Sequence, residues 1–368
     1  MPRRKQHLIQ GSESISTTTM RIINRIKNMA MNMNIQILKR FGLILLIPAL
    51  SLPAAGSEVR VYSGRHYNTD RQVFKQFSDQ TGIRVRLIEA TGISLVERLK
   101  REGKNSKADV ILLVDAARIN NAAENNLLAP INSPELQKAI PTQYRDPNNR
   151  WFGLTRRVRA IIVNPKIVNP SQITSYADLA KPAFKEKLCL RKRKNVYNQS
   201  LVADQILLRG ETAATQWIKG MVNNLQQPFY SGDTSLIRAV GRGDCGIGVV
   251  NHYYLARMQA GSNGAKDQTI ANKIKLIMPN PAHVNISAAG MTQSAENKSE
   301  AKRLIEFLAS SKGSAALAGP TYEYPLRGYG TAKELQAFGS FTPDNVKISS
   351  LGQKQRRAVE IMAQNGWR

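Results

Sequence analysis

Tyr253 and Tyr254 stand side by side in the stretch Asp244-Cys245-Gly246-Ile247-Gly248-Val249-Val250-Asn251-His252-Tyr253-Tyr254. A second pair, His66-Tyr67, follows the first alternating apolar segment, and Tyr197 lies between the two pairs. A phenol with a pKa near 10 gives up its proton at neutral pH only when a cation takes its place. Phenolate is a hard anionic oxygen. Phenols gathered from distant parts of a chain therefore suit a small trivalent cation, ferric iron first among them. Three phenolates neutralise such an ion. A fourth leaves the site at about −1, where a nearby arginine or lysine becomes useful. Arg65 adjoins His66, and Arg191, Lys192, Arg193 and Lys194 precede Tyr197. Most of that run reads as a solvated basic loop, which leaves one arginine as a candidate charge partner.

Each of these residues also has a plain structural reading. A tyrosine after a strand more often packs than ligates. Successive side chains on a regular helix point about 100° apart, so Tyr253 and Tyr254 reach one ion together only at a helix start or in a turn. His252 competes with His66 as an imidazole ligand, and Tyr62, Tyr230, Tyr322, Tyr324 and Tyr329 stay open as rival phenols. Other chemistry is thin. The chain has no phosphate-binding Gly-x-x-x-x-Gly-Lys-Ser/Thr loop, no His-Glu-x-x-His and no Gly-x-Ser-x-Gly. Its 4 histidines offer few candidates for a histidine-based catalytic or zinc site. The expectation is a binding protein, not an enzyme.

Residues 58–63 alternate as a strand, 70–80 form an amphipathic helix, 83–88 a second strand, 95–102 a second helix and 109–114 a nearly all-apolar third strand. An extended run over 153–163 opens a second set. Its strands fall at 187–191, 246–250 and 273–278, and its helices at 175–179, 200–208, 212–223, 295–310 and 351–365. The strand–helix repetition predicts an α/β fold in which mostly parallel sheets are flanked by helices. Two lobes joined by extended crossings is the simplest architecture, and 368 residues suffice for two cores. The expected division is 57–160 for the first lobe, 161–280 for the second, 281–325 for a return to the first, and 326–368 for a helical part joining the second. Ligands of such folds bind past the strand C-termini, and all three tyrosine segments follow strand ends.

The apolar run 41–55 follows Lys39-Arg40 and ends in the small residues Ala54, Ala55, Gly56 and Ser57. It has the form of a secretory signal cleaved near Gly56, and it is shorter than the ~20 apolar residues that span a bilayer. The polar, basic, Met-rich segment before it is explained if translation starts at Met31 or Met33. The formal net charge is +27. Residues 1–56 hold eight Lys/Arg and one Glu, so the remainder stays near +20. Such a field attracts polyanions. Export removes the chain from nucleic acid, leaving acidic ligands and an anionic membrane face. Cys189 and Cys245 form neither a CxxC pair nor a zinc constellation, and in an exported chain a single disulfide between them is expected.

At these residues the sequence resembles the ferric-iron-binding periplasmic proteins of cyanobacterial iron ABC transporters, the Fut type, which are bacterial transferrins among the solute-binding proteins. The resemblance covers about 57–368. It is carried by Val61-Tyr62-Ser63-Gly64-Arg65-His66-Tyr67-Asn68-Thr69-Asp70, Ala108-Asp109-Val110 with Val114-Asp115-Ala116, Lys187-Leu188-Cys189-Leu190-Arg191, Val196-Tyr197-Asn198-Gln199-Ser200, and Val249 to Arg257. It implies a two-lobed periplasmic-binding-protein fold of type II, closing over one Fe3+. It implies ligands at Tyr67 from the first lobe and at Tyr197, Tyr253 and Tyr254 from the second, with His66 a variable fifth and no required carbonate or phosphate. It also implies a periplasmic monomer that hands iron to an inner-membrane ABC permease and its ATPase, with membrane association left open. The basic stretch before Tyr197 departs from many relatives. Three rival readings are an organic-anion or polyamine-like solute-binding protein of the same fold, an extracytoplasmic iron redox protein, and a basic protein that binds polyanionic surfaces.

Overall fold

The computed structural model describes residues 57–65, 67–227 and 229–368. The expected signal segment and His66 lie outside the described residues. The first part of the chain runs Glu58–Ser63 (β1), Asp70–Thr81 (α1), Arg84–Glu89 (β2), Gly92–Glu102 (α2), Val110–Val114 (β3), Ala116–Glu124 (α3), Leu128–Ala129 (β4) and Pro134–Ala139 (α4). A twelve-residue strand, Phe152–Val163 (β5), follows. Then come Leu188–Cys189 (β6), Val196–Arg209 (α5), Glu211–Asn223 (α6), Asp233–Arg242 (α7), Ile247–Asn251 (β7), His252–Gln259 (α8), Ala265–Ala271 (α9) and Lys275–Ile277 (β8). The last part holds Val284–Thr292 (β9), Lys298–Ala309 (α10), Ser311–Ala318 (α11), Tyr324–Pro325 (β10), Lys333–Ala337 (α12) and Leu351–Gln364 (α13).

The main path of the sheet is β2-β1-β3-β9-β5-β7-β6. β2, β1 and β3 are mutually parallel, as are β6 and β7. β9 runs antiparallel to both β3 and β5, and β5 runs antiparallel to β7. The α/β class is as expected, with the parallel pairs at the two ends of a mixed sheet and the antiparallel crossings between them. β3, Val-Ile-Leu-Leu-Val, is apolar throughout because helices cover both of its faces.

β5 changes partners part-way along. Phe152 to Val158 pair with β9, and Arg159 to Val163 pair with β7. One strand therefore belongs to both half-sheets. β9 was not legible as a strand, because its residues, Val-Asn-Ile-Ser-Ala-Ala-Gly-Met-Thr, are small and partly polar. They are small because the strand is the crowded centre of the sheet. A Cβ on Gly290 would stand 2.8 Å from the carbonyl oxygen of Arg150 and 2.9 Å from Leu128 Cδ1.

α13 packs against α5 and also against α3, so it touches helices that follow strands of both half-sheets. Beyond it, Trp367 stacks on Phe229 with ring centroids 6.4 Å apart and donates Nε1–H to the Arg191 carbonyl at 2.8 Å. Cys189 and Cys245 are disulfide-bonded with Cα atoms 6.1 Å apart, tying β6 to the turn before β7. Among the described residues no helix is long and apolar enough to cross a membrane.

Candidate metal centre

Tyr67 lies in the loop between β1 and α1, where its carbonyl accepts the Asp70 N–H at 3.0 Å. Tyr197 is the second residue of α5. That helix begins four residues earlier than the sequence pattern suggested, because Asn195 caps it and accepts the N–H groups of Tyr197 (3.1 Å) and Asn198 (3.3 Å). Tyr253 and Tyr254 are the second and third residues of α8, directly after β7. This is the helix start at which neighbouring side chains can serve one point. Their rings stack at 4.5 Å, inclined by 29°. Tyr253 is 1% exposed, and its hydroxyl lies 3.5 Å from Asn251 Nδ2.

The four phenols share one neighbourhood. Tyr253 feels the charges of Tyr197, Tyr254 and Tyr67, and Tyr67 feels that of Tyr197. Burial, with Glu323 adding to it, pushes the Tyr67 phenol well above its usual range. Burial and then Tyr197 do the same to Tyr253, and Tyr254 is pushed up to about 12. All three raised phenols are protonated near pH 7 in the absence of a cation. A raised folded-state pKa contributes stability below the unfolded value of about 10 and loses it as pH climbs through the folded value. The metal-free protein is therefore expected to lose stability between about pH 10 and pH 12, measured by denaturant midpoints across that window.

Guanidinium groups bracket the phenols. Arg65 is fully buried with its Cζ 4.9 Å from the Tyr67 ring centre. Its Nε donates to Asp70 (2.8 Å), and its Nη1 donates to Glu323 (2.8 Å), Ser287 Oγ (2.7 Å) and Thr155 Oγ1 (3.1 Å). Arg157 lies 5.6 Å from the Tyr197 ring centre, donates to Glu323 at 3.2 Å, and donates its other amino group to the Ile286 carbonyl. Arg191 stands 6.0 Å from the centre of the same Tyr197 ring and 3.2 Å from Asp233. Asp233 also receives Arg159 at 2.9 Å. Burial opposes the charge on Glu323, yet Arg65 and Arg157 hold it below the ordinary carboxylate range. The Nε atoms of Arg157, Arg159 and Arg191 are buried without a hydrogen-bond partner.

Of the basic run before Tyr197, Arg191 alone faces the phenols. Lys192 and Lys194 are exposed, and Arg193 donates to the Trp367 carbonyl at 3.1 Å. Sequence reasoning missed Arg157, Arg159, Glu323 and Asp233. A signal existed in Arg156-Arg157-Val158-Arg159, which places three arginines inside an otherwise apolar strand. Buried arginine requires partners.

Most of the rivals are engaged elsewhere, although the Tyr324 hydroxyl is buried without a hydrogen-bond partner. His252 Nδ1 accepts the Val158 N–H at 3.1 Å, and its Nε2 lies 3.0 Å from the Tyr322 carbonyl, which assigns the proton to Nε2. Both ring nitrogens are used, and burial lowers the imidazole to about 3, so it is neutral and structural. Tyr62 donates to Glu102, Tyr230 to Gln227, and Tyr324 stacks on His252 at 4.2 Å. Tyr329 packs edge-on against Tyr324 and Phe341, and Tyr322 lends its carbonyl to His252.

A mixed sheet with shared crossing strands, and polar side chains gathered past its strand ends, is the plan of a protein that captures a solute between two halves. Residues 105–340 match the profile of the bacterial extracellular solute-binding proteins, and the chain belongs to that family. Over 87% of its length, and 90% of the relative's, it is 38% identical to iron uptake protein A1 of Synechocystis sp.. It is similar to the solved structure of a Trichodesmium protein (IdiA, FutA) in complex with iron and citrate ligands. The TM-score is 0.81 and the identity 39%, over 85% of this chain and 100% of that one. It is likewise similar to apo FutA2 from Synechocystis, with a TM-score of 0.80 and 34% identity over 85% and 100% of the two chains.

Proposed function

We propose that this chain is an exported ferric-iron carrier that binds Fe3+ through Tyr67, Tyr197, Tyr253 and Tyr254, with His66 a candidate fifth ligand, and delivers it to an inner-membrane ABC permease driven by its ATPase. The observation that carries this reading is the convergence of four phenols from both half-sheets beside buried guanidiniums. The iron named for its relatives supports the same cargo. The half-sheets serve as lobes, the first passing to the second between Val158 and Arg159 on β5 and the chain returning along β9. Closure is a population shift, because Tyr67 and the other three phenols gain a common partner only when the lobes meet. The guanidiniums offset the negative charge of a four-phenolate centre. Glu323 and Asp233 already engage them, which argues against a crevice built to take an organic anion. The protein acts as a monomeric carrier rather than an enzyme.

Ferric iron supplied as a weak chelate is expected to give a visible phenolate-to-iron charge-transfer band that saturates at one ion per chain. Tyr67, Tyr253 and Tyr254 hold their protons in the empty site, so each must release one on binding, and affinity rises with pH. Calorimetry in buffers of different ionisation enthalpy measures that release. A colourless protein, or binding without proton release, sinks the assignment.

A further inference from the structure

Away from the phenols, a second set of ligand-type side chains converges. Asp204 belongs to α5, His283 immediately precedes β9, and Asp344 sits between α12 and α13. One ligand atom from each lies within 4.8 Å of the others. His283 is 2% exposed, and its Nδ1 is buried without a hydrogen-bond partner. That nitrogen is 3.1 Å from Asp204 Oδ1, close but not aligned as a hydrogen bond. Asp344 Oδ2 is also buried without a partner. The remaining oxygens are fixed by other donors: Asp204 Oδ2 by Gln205 Nε2 at 3.0 Å, and Asp344 Oδ1 by the Val346 N–H at 2.9 Å. Two carboxylates and an imidazole nitrogen stand close enough to serve a common electrophile, which displaces the protons that Asp204 otherwise shares with His283 and Asp344.

We propose that Asp204, His283 and Asp344 form a second cation site, separate from the tyrosine centre, for a divalent ion of borderline softness such as Zn2+. One nitrogen and two carboxylate oxygens suit such ions. Mg2+ and Ca2+ favour all-oxygen shells, and Fe3+ is better served by phenolates. Bonds of about 2.0–2.2 Å place ligand atoms at most about 4.4 Å apart, so small side-chain adjustments close the shell. Asp344 and Val284, which follows His283, line a surface cavity of about 280 Å³ at the edge of the cluster. The site joins three segments. One of them, α5, carries Tyr197 seven residues before Asp204, about 10 Å along the helix axis. A bound ion pins that helix to the segment entering β9.

The test is calorimetric titration of Zn2+ alone into the wild-type protein, a Tyr253→Phe/Tyr254→Phe variant and an Asp204→Asn variant. One Zn2+ per chain is expected in the first two, with affinity reduced more than about tenfold in the third. No uptake by the wild type, uptake lost with the tyrosines, or uptake unchanged by Asp204→Asn overturns the proposal. If Asp204→Asn does not fold, anomalous scattering from wild-type crystals grown with Zn2+ decides it. A peak between the three side chains supports the site, and its absence there refutes it. The iron spectrum of the wild type is read separately, so the two assignments stand or fall independently.

Discussion

Replacing Tyr253 and Tyr254 together by phenylalanine is expected to abolish the visible iron band and to weaken ferric-iron binding at least about a hundredfold. Loss of partners one step removed from a metal already costs 10–100-fold, and these two oxygens are proposed to touch it. Phenylalanine keeps the ring, so the stack at 4.5 Å and the buried volume survive. It removes only the oxygens. The Tyr253 hydroxyl is buried beside Asn251 Nδ2 at 3.5 Å and the Tyr254 hydroxyl, and the double substitution removes both phenol oxygens of that pair together, so the folded protein should be as stable as before within about 1 kcal/mol. Absorbance titration and competition against a chelator measure the loss, and denaturant unfolding confirms that the fold is intact. A variant that keeps its colour and its affinity removes this pair from the coordination shell.

Glu323→Gln is expected to destabilise the protein by about 3–5 kcal/mol, because removing one partner of a buried ion pair leaves an uncompensated charge behind. Glu323 holds Arg65 and Arg157 at once, through separate oxygens, with all three side chains almost fully buried. Arg65 retains Asp70, but Arg157 is left with the Ile286 carbonyl. The exposed Arg356–Glu360 pair provides the control, since an i,i+4 pair on a helix surface contributes only about 0.3–0.5 kcal/mol. Urea unfolding of both variants makes the comparison. A loss below about 1 kcal/mol on Glu323→Gln means that the arginines find other partners.

The tyrosines stood out in the sequence as candidates because their chemistry is rare and because each segment follows a strand end. Tyr253-Tyr254 carried the further condition of a helix start, and α8 meets it. The charged shell behind them was not legible. Glu323 lies 166 residues from Arg157 in sequence, and only the antiparallel pairing of β5 with β10 and β9 brings the two together. Strands with strong alternation or a continuous apolar run, β1 and β3, were placed correctly. β9 escaped because a strand buried between two neighbours and under helices needs small side chains, and Ser-Ala-Ala-Gly carries no period. α5 was placed late because Asn195 caps it upstream of the apolar face that signals a helix.

The strand order has a consequence for the nascent chain. β3 emerges early, yet its neighbour β9 begins only at Val284, after β6 and β7 have been made. Until then one long edge of the N-terminal half-sheet has no complement and is open to pairing with other chains. The first half-sheet does not correspond to an uninterrupted stretch of polypeptide. A gene truncated before codon 284 therefore encodes an incomplete copy of the first half as well as of the whole, and the ribosome must deliver most of the molecule before that half can close.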